Sequence, residues 1–81
     1  MNIEIYTRDG CNRCVNLKKI LQKENVEYKE YVIGENISRE QVLEKYPDAK
    51  MLPIVVYESV KLADGDQLVK IIMENKNGNS S

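Results

Sequence analysis

Histidine is missing from this sequence of 81 residues. Its absence excludes imidazole metal ligands, cysteine–histidine nucleophile pairs and histidine general bases. Any chemistry that the protein performs must therefore use thiols, carboxylates, amines, hydroxyls or backbone groups.

Long apolar runs and a strong net charge are lacking as well. No run approaches the roughly 20 residues of a membrane-spanning helix, and the start MNIEIYTRDG lacks the pattern of a signal peptide. The net charge of -1 gives no electrostatic basis for binding nucleic acid or an anionic membrane. We therefore expect a cytoplasmic protein with neither of these partners.

Length and composition indicate one small soluble domain. A chain of 81 residues, 42% hydrophobic and 31% charged, is typical of a single globular unit. A domain of this size buries only about 60–65% of the surface that its unfolded chain exposes, so its core is modest. We expect a monomer whose domain occupies residues 1–74, followed by a polar, flexible tail at 75–81.

The hydrophobic pattern predicts elements in the order β-α-β-α-β-β-α. Strands are predicted at 3–7, 26–33, 51–57 and 60–63. Helices are predicted from 12 to about 25, from the Ser38 cap to about 45, and after residue 64. Ser38 and Gln41 have the spacing of a capping box. Asp64 with Gln67, or Asp66 alone, is expected to cap the last helix. The fold class is α/β, a four-stranded mixed sheet with helices on both faces.

The only two cysteines, Cys11 and Cys14, allow three interpretations. A structural zinc site needs about four ligands, and the chain offers two thiols and no imidazole. A structural disulfide that closes so short a loop stabilises little, and a reducing compartment disfavours it. The third interpretation is a redox-active pair.

The surroundings of Cys11 favour the redox interpretation. This cysteine falls where a strand gives way to a helix, near unpaired backbone N–H groups and the positive end of the helix dipole. Both favour the thiolate, which is the attacking species in disulfide exchange, and Arg8 and Arg13 add positive charge that Asp9 partly opposes. Cys14 lies one helical turn later on the inward face, which suits a shielded resolving thiol. A CxxC motif near a βαβ pattern is typical of thioredoxin-like proteins.

Pro53 is the second feature of interest, and two interpretations of it remain open. It could simply begin a strand, because proline lacks a ladder donor. Alternatively, a cis-proline turn would place the Leu52 backbone beside the sulfurs, ready to pair with an extended substrate.

Three segments, YTRDGCNRC…LKKIL, MLPIVV and LADGDQL, carry a family resemblance. The sequence resembles the glutaredoxin family, especially its short dithiol members from bacteria and phages, over nearly the whole chain to about Met73. The resemblance implies a minimal thioredoxin fold. It also implies that Cys11 is the nucleophile, Cys14 the resolving cysteine and Pro53 the cis-proline.

The resemblance further implies a glutathione site. Arg8 occupies the position of a family lysine that contacts a glutathione carboxylate, and Arg13 stands where relatives have tyrosine. Leu52 takes the position whose backbone pairs with the cysteine moiety of glutathione. Asp66 and Gln67 fall where relatives hold the γ-glutamyl end.

The sequence departs from the family pattern at three places. Asn12-Arg13 replaces Pro-Tyr, Met51 replaces Thr, and Ala63-Asp64 replaces Gly-Gly. Side chains at the last pair are expected to narrow the groove, although Gly65 could restore the space with a one-residue shift. Asp64 also brings negative charge towards an anionic peptide. We therefore expect weak glutathione use.

The predicted function is that of a thiol-disulfide oxidoreductase that reduces protein disulfides and glutathione mixed disulfides, with glutathione as reductant and no metal. By family analogy, ribonucleotide reductase is a target, and the compartment is the cytoplasm, or the host cytoplasm for a phage protein. One alternative is a redoxin reduced by thioredoxin reductase. Another is a non-catalytic adaptor or a metal-cluster carrier. The family's cluster carriers have a single cysteine followed by Gly-Phe-Ser, which CNRC does not match.

Overall fold

Seven elements make up the fold in a computed structural model that describes residues 2–49 and 51–79, the last four of them by their backbone alone. They are β1 (Ile3–Thr7), α1 (Asn12–Lys23), β2 (Lys29–Val32), α2 (Arg39–Lys45), β3 (Ile54–Tyr57), β4 (Val60–Lys61) and α3 (Gly65–Asn79). The order β-α-β-α-β-β-α confirms the sequence prediction.

The four strands form one mixed sheet in the order β2-β1-β3-β4. β1 runs parallel to β2 and antiparallel to β3, and β4 pairs antiparallel to β3. β1 is therefore a central strand, and the loop that follows its last residue, Thr7, leads directly to Cys11. The predicted α/β fold class, a minimal thioredoxin fold, is confirmed.

Both faces of the sheet are covered by helices, as predicted. On one face, α1 and α3 pack on a buried cluster of Ile3, Ile5, Leu17, Leu21, Val55, Leu62, Leu68 and Ile72. On the other face, α2 packs through a smaller cluster of Tyr6, Val42, Ile54 and Val56. The alternation of residues along β1 and β3 divides them between the two clusters, as the two-residue period of a strand requires.

β2 and β3 begin later than the sequence predicted. The Val26 N–H donates to Leu21 O at 2.9 Å, and Asn25 has φ of 57°, so these residues end α1 instead of joining the sheet. Residues 51–53 form a bend ahead of β3, because Pro53 has no N–H to donate to a ladder.

The predicted caps of α2 and α3 can be compared directly with the hydrogen bonds. Gln41 N–H donates to Ser38 Oγ at 3.1 Å, and Ser38 N–H donates to Gln41 Oε1 at 2.9 Å, which confirms the capping box. At α3, Gln67 N–H donates to Asp64 Oδ1 at 2.9 Å. Asp64 with Gln67 is therefore the correct alternative, and Asp66 lies inside the first turn.

α3 extends to Asn79, into the stretch predicted as a tail. The division of the chain after residue 74 stays a prediction, and residues 80–81 lie outside the described residues. Within the described ranges, no helix combines the length and the apolar character that crossing a membrane requires.

Candidate active site

Cys11 lies at the start of α1, where the sequence placed it. It is the N-cap residue, and its Sγ accepts a hydrogen bond from Cys14 N–H at 3.2 Å. The turn before it is closed by Cys11 N–H, which donates to Arg8 O at 3.3 Å. Gly10 has φ of 80°, a left-handed conformation that glycine adopts without steric cost. A backbone donor and the positive end of α1 thus both face this sulfur, which stabilises negative charge on it.

Cys11 and Cys14 form a disulfide, with Cα atoms 5.2 Å apart. Cys11 is half-buried, whereas Cys14, in the first turn of α1, is only 1% exposed. A sulfur of another molecule can therefore approach Cys11 and not Cys14. This asymmetry is what a nucleophile and a shielded resolving thiol require.

The Leu52–Pro53 peptide bond is cis, as the second interpretation of Pro53 predicted, and the pairing of the Leu52 backbone with a substrate stays a prediction. Pro53 approaches the start of α3: a Cβ at Gly65 would lie 3.8 Å from Pro53 Cγ and 3.5 Å from Leu17 Cδ2. Gly65, at the start of α3, thus lies close to both Pro53 and the α1 side chain Leu17.

A groove of about 500 Å³ runs beside this proline, and we call it the proline groove. Its α1 wall consists of Arg13, Asn16, Leu17 and Ile20, and its floor of Met51, Leu52 and Pro53. Its α3 wall consists of Ala63, Asp64, Gly65, Asp66 and Val69. Four of the six predicted substrate-binding residues therefore line one groove: Arg13, Leu52, Pro53 and Asp66.

Arg8 lines a different cavity, which we call the arginine cavity. It measures about 210 Å³, and its lining is otherwise formed by Ile33, Arg39, Val42, Leu43, Ala49, Met51, Leu52 and Ile54. Met51 and Leu52 line both cavities, so the arginine cavity and the proline groove meet at these two residues. An extended ligand across Leu52 would have Arg8 on one side and Asp66 on the other.

Arg39 is a candidate binding residue that the sequence reasoning missed. It is the first residue of α2, directly after the Ser38 cap. A cation at a helix start is disfavoured by the helix dipole, and this mismatch is the signal that could have drawn attention to it.

Gln67, the sixth predicted binding residue, has its side chain engaged elsewhere. Its Oε1 accepts a hydrogen bond from Ala63 N–H at 2.8 Å, and its own N–H donates to Asp64 Oδ1. It does not line the proline groove.

A partly buried polar network lies at the end of β1. Thr7, 2% exposed, donates from Oγ1 to Glu30 Oε2 at 2.5 Å, and Lys18 Nζ lies 3.0 Å from the same oxygen. Burial raises the pKa of the Glu30 carboxyl, but the hydrogen bonds from Thr7 and Lys18 together outweigh it and leave this pKa below its usual value. No sequence pattern links Thr7 to a residue 23 positions later, so the network escaped prediction.

In the part of the chain that the structure describes, no three side chains of histidine, cysteine, aspartate or glutamate come together in a group that could hold a metal ion.

A thioredoxin-like fold, with a disulfide at the start of its first helix and a cis-proline at the adjacent groove, defines the class of thiol-disulfide exchange proteins. The particular family follows from the sequence: residues 3–61 match the family model described as Glutaredoxin. The chain belongs to the glutaredoxin family, and its cysteine pair supports thiol-disulfide oxidoreductase activity.

Solved structures of similar fold agree with this assignment. The thioredoxin-like protein BC3987 is 27% identical, with a TM-score of 0.70 over 86% of this chain and 97% of that one. A glutaredoxin from Brucella melitensis is 25% identical, with a TM-score of 0.69 over 98% of this chain and 86% of that one. Glutaredoxin 1 from Francisella tularensis, solved with cacodylate, is 20% identical and shares the fold with a TM-score of 0.71 over 94% of this chain and 96% of that one. Among curated proteins, no sequence matches this chain.

Proposed function

We propose that this protein is a dithiol electron carrier that reduces protein disulfides and glutathione mixed disulfides through Cys11 and Cys14. The observation that carries the proposal is the asymmetry of the pair. Cys11 is half-buried at the start of α1 and bonded to Cys14, which is 1% exposed.

The reaction takes two steps. The Cys11 thiolate attacks one sulfur of a substrate disulfide, which forms a mixed disulfide and releases the other sulfur as a thiolate that takes a proton from water. Cys14 then loses its proton to water, and its thiolate attacks the Cys11 sulfur, which forms the Cys11–Cys14 disulfide and releases the second substrate sulfur as a thiolate that takes up a proton. Two electrons pass from the protein to the substrate, and the N–H of Cys14 stabilises negative charge on Cys11 sulfur.

The substrate binds as an extended segment against the Leu52 backbone, in the manner of an added strand. The meeting of the two cavities at Leu52 supports this pose. Arg8 and Arg39 bind a carboxylate on one side, and Asp66 binds an ammonium on the other. Glutathione carries both groups and is the proposed reductant of the disulfide form. Ala63-Asp64 in place of two glycines weakens its binding, because side chains occupy the α3 wall.

A thioredoxin reductase is the second candidate electron donor, because a crowded glutathione groove favours reduction by a protein. We propose the cytoplasm as the compartment, or the host cytoplasm for a phage protein. Ribonucleotide reductase is the proposed target by family analogy.

The test is a parallel turnover assay with insulin disulfides and with a glutathionylated peptide. One series receives glutathione and glutathione reductase, and the other receives a thioredoxin reductase. We expect turnover in the glutathione series that requires Cys11, with Cys11→Ser as the matched inactive control. Turnover with thioredoxin reductase alone would assign the donor to that enzyme. Equal rates for wild type and Cys11→Ser would overturn the proposal.

A further inference from the structure

We propose that Asp64 determines the substrate preference of the proline groove. It favours a protein segment that carries a basic residue beside its disulfide cysteine, and it disfavours glutathione. This inference rests on the proposed function, because it names the substrate class of the same site.

The first reason lies in the backbone donors at the start of α3. Gln67 N–H donates to Asp64 Oδ1 at 2.9 Å, and Ala63 N–H donates to Gln67 Oε1 at 2.8 Å. The γ-glutamyl end of glutathione carries a carboxylate, which needs hydrogen-bond donors when it leaves water. At this wall, the side chains of Asp64 and Gln67 already engage two of the backbone N–H donors.

The second reason is the charge of the α3 wall. Asp64 and Asp66 are both exposed and both line the groove. Arg13 is the one basic residue among the described lining residues, and it belongs to the opposite wall, where its Nη1 lies 3.8 Å from Met51 Sδ. The α3 wall therefore attracts an ammonium or guanidinium group and repels a carboxylate.

The third reason is that the charged residues on the two sides of Leu52 have opposite signs. Arg8 and Arg39 line the arginine cavity, so an extended segment over Leu52 meets cations at one end and carboxylates at the other. A protein segment with an acidic residue on one side of its cysteine and a basic residue on the other matches both ends. The γ-glutamyl end of glutathione carries a carboxylate beside its ammonium, so binding of that ammonium by Asp66 brings the carboxylate towards Asp64.

The experiment uses single-turnover oxidation of the pre-reduced protein by peptides with one internal disulfide. Three peptides differ only in one residue beside the cysteine, which is Lys, Gln or Glu, and a second series places that residue on the cysteine's other side. Reversed-phase separation of oxidised and reduced peptide gives the rate. In one of the series, we expect wild type to reduce the Lys peptide about five to ten times faster than the Glu peptide, a difference that falls at high salt.

Two variants isolate the role of Asp64. Asp64→Asn keeps the helix cap, because asparagine caps as well as aspartate, but it removes the charge. We expect this variant to lose most of the preference for Lys over Glu and to gain about threefold in glutathione-dependent kcat/KM. Glu27→Gln is the matched control: it makes the same charge change on an exposed residue beyond the far end of α1. We expect it to behave as wild type.

Equal rates for the Lys and Glu peptides in both series would overturn the inference, as would equal behaviour of Asp64→Asn and Glu27→Gln. Either result leaves the proposed function intact as long as the Gln peptide is reduced. If wild type fails to reduce the Gln peptide, the proposed function is wrong and the inference falls with it.

Discussion

Cys11 and Cys14 have the same side chain, but they lie in different surroundings one helical turn apart. Cys11 caps α1 and accepts a hydrogen bond from the N–H of Cys14, whereas Cys14 is buried in the first turn. The order of strand, glycine turn and helix in the sequence was enough to predict this difference. Each of those signals is local, and the helix start fixes where the sulfur lies.

Alkylation rates should report this difference directly. We expect iodoacetamide to label Cys11 of the reduced protein at mildly acidic pH at least about tenfold faster than Cys14, because Cys11 is accessible and its thiolate is stabilised. Mass mapping of the labelled peptides over a pH series measures both rates, and the urea-unfolded protein is the control. Faster labelling of Cys14 would reverse the two roles.

The Glu30 carboxylate links stability to pH. Its pKa is lower in the folded protein than the usual glutamate value of 4.5, so its contribution to stability is full above that value and is lost as pH falls through the folded pKa. We expect Glu30→Gln to lower the unfolding free energy at pH 7 and to approach wild type in acid. Denaturant unfolding across the pH range measures this, with the exposed Glu27→Gln as control.

Elements with local signals were predicted well, and those fixed by tertiary contacts were not. The spacing of Leu17 and Leu21 predicted α1, and Ser38 with Gln41 predicted α2. The starts of β2 and β3 were predicted too early. Residues with a strand-like sequence pattern belong instead to the end of α1 and to the cis-proline bend. Pattern alone cannot tell an extended loop from a paired strand.

The capping box of α2 should contribute measurable stability. Ser38→Ala removes the acceptor for Gln41 N–H, so we expect a loss of about 1 kcal/mol in the free energy of unfolding. Ser38→Asn keeps an acceptor at the same place and should remain near wild type. Equal losses for the two variants would show that the side-chain cap is not the source of the effect.

The candidate active site is assembled from residues that are far apart in the sequence. Arg8 follows β1, Arg39 begins α2, and Leu52 precedes β3, yet all three line the arginine cavity. The family resemblance predicted a role for Arg8 and Leu52 but not for Arg39. No pattern along the chain reports that α2 brings its first residue beside the end of β1, because this depends on packing through Val42.

Arg8 and Arg39 should both contribute to glutathione-dependent activity. We expect Arg8→Ala and Arg39→Ala each to lower glutathione-dependent kcat/KM by about fivefold to tenfold, since each removes a charge-assisted hydrogen bond to a carboxylate. Lys23→Ala, at the far end of α1, is the matched loss of one exposed cation. Unchanged kinetics for Arg8→Ala would show that the ligand does not cross Leu52 in the proposed pose.

The central claim is that Cys11 attacks and Cys14 resolves, and trapping of the mixed disulfide tests it most directly. Reduced Cys14→Ser is mixed with a single-cysteine peptide activated as a mixed disulfide with nitrothiobenzoate, whose released thiolate diffuses away and is a weak nucleophile. The products are resolved by intact-mass and peptide mapping. We predict a stable one-to-one adduct at Cys11. In wild type, Cys14 should release the peptide and leave the Cys11–Cys14 disulfide. An adduct that forms equally fast at Cys14 in Cys11→Ser, or the absence of any adduct in Cys14→Ser, would contradict the claim.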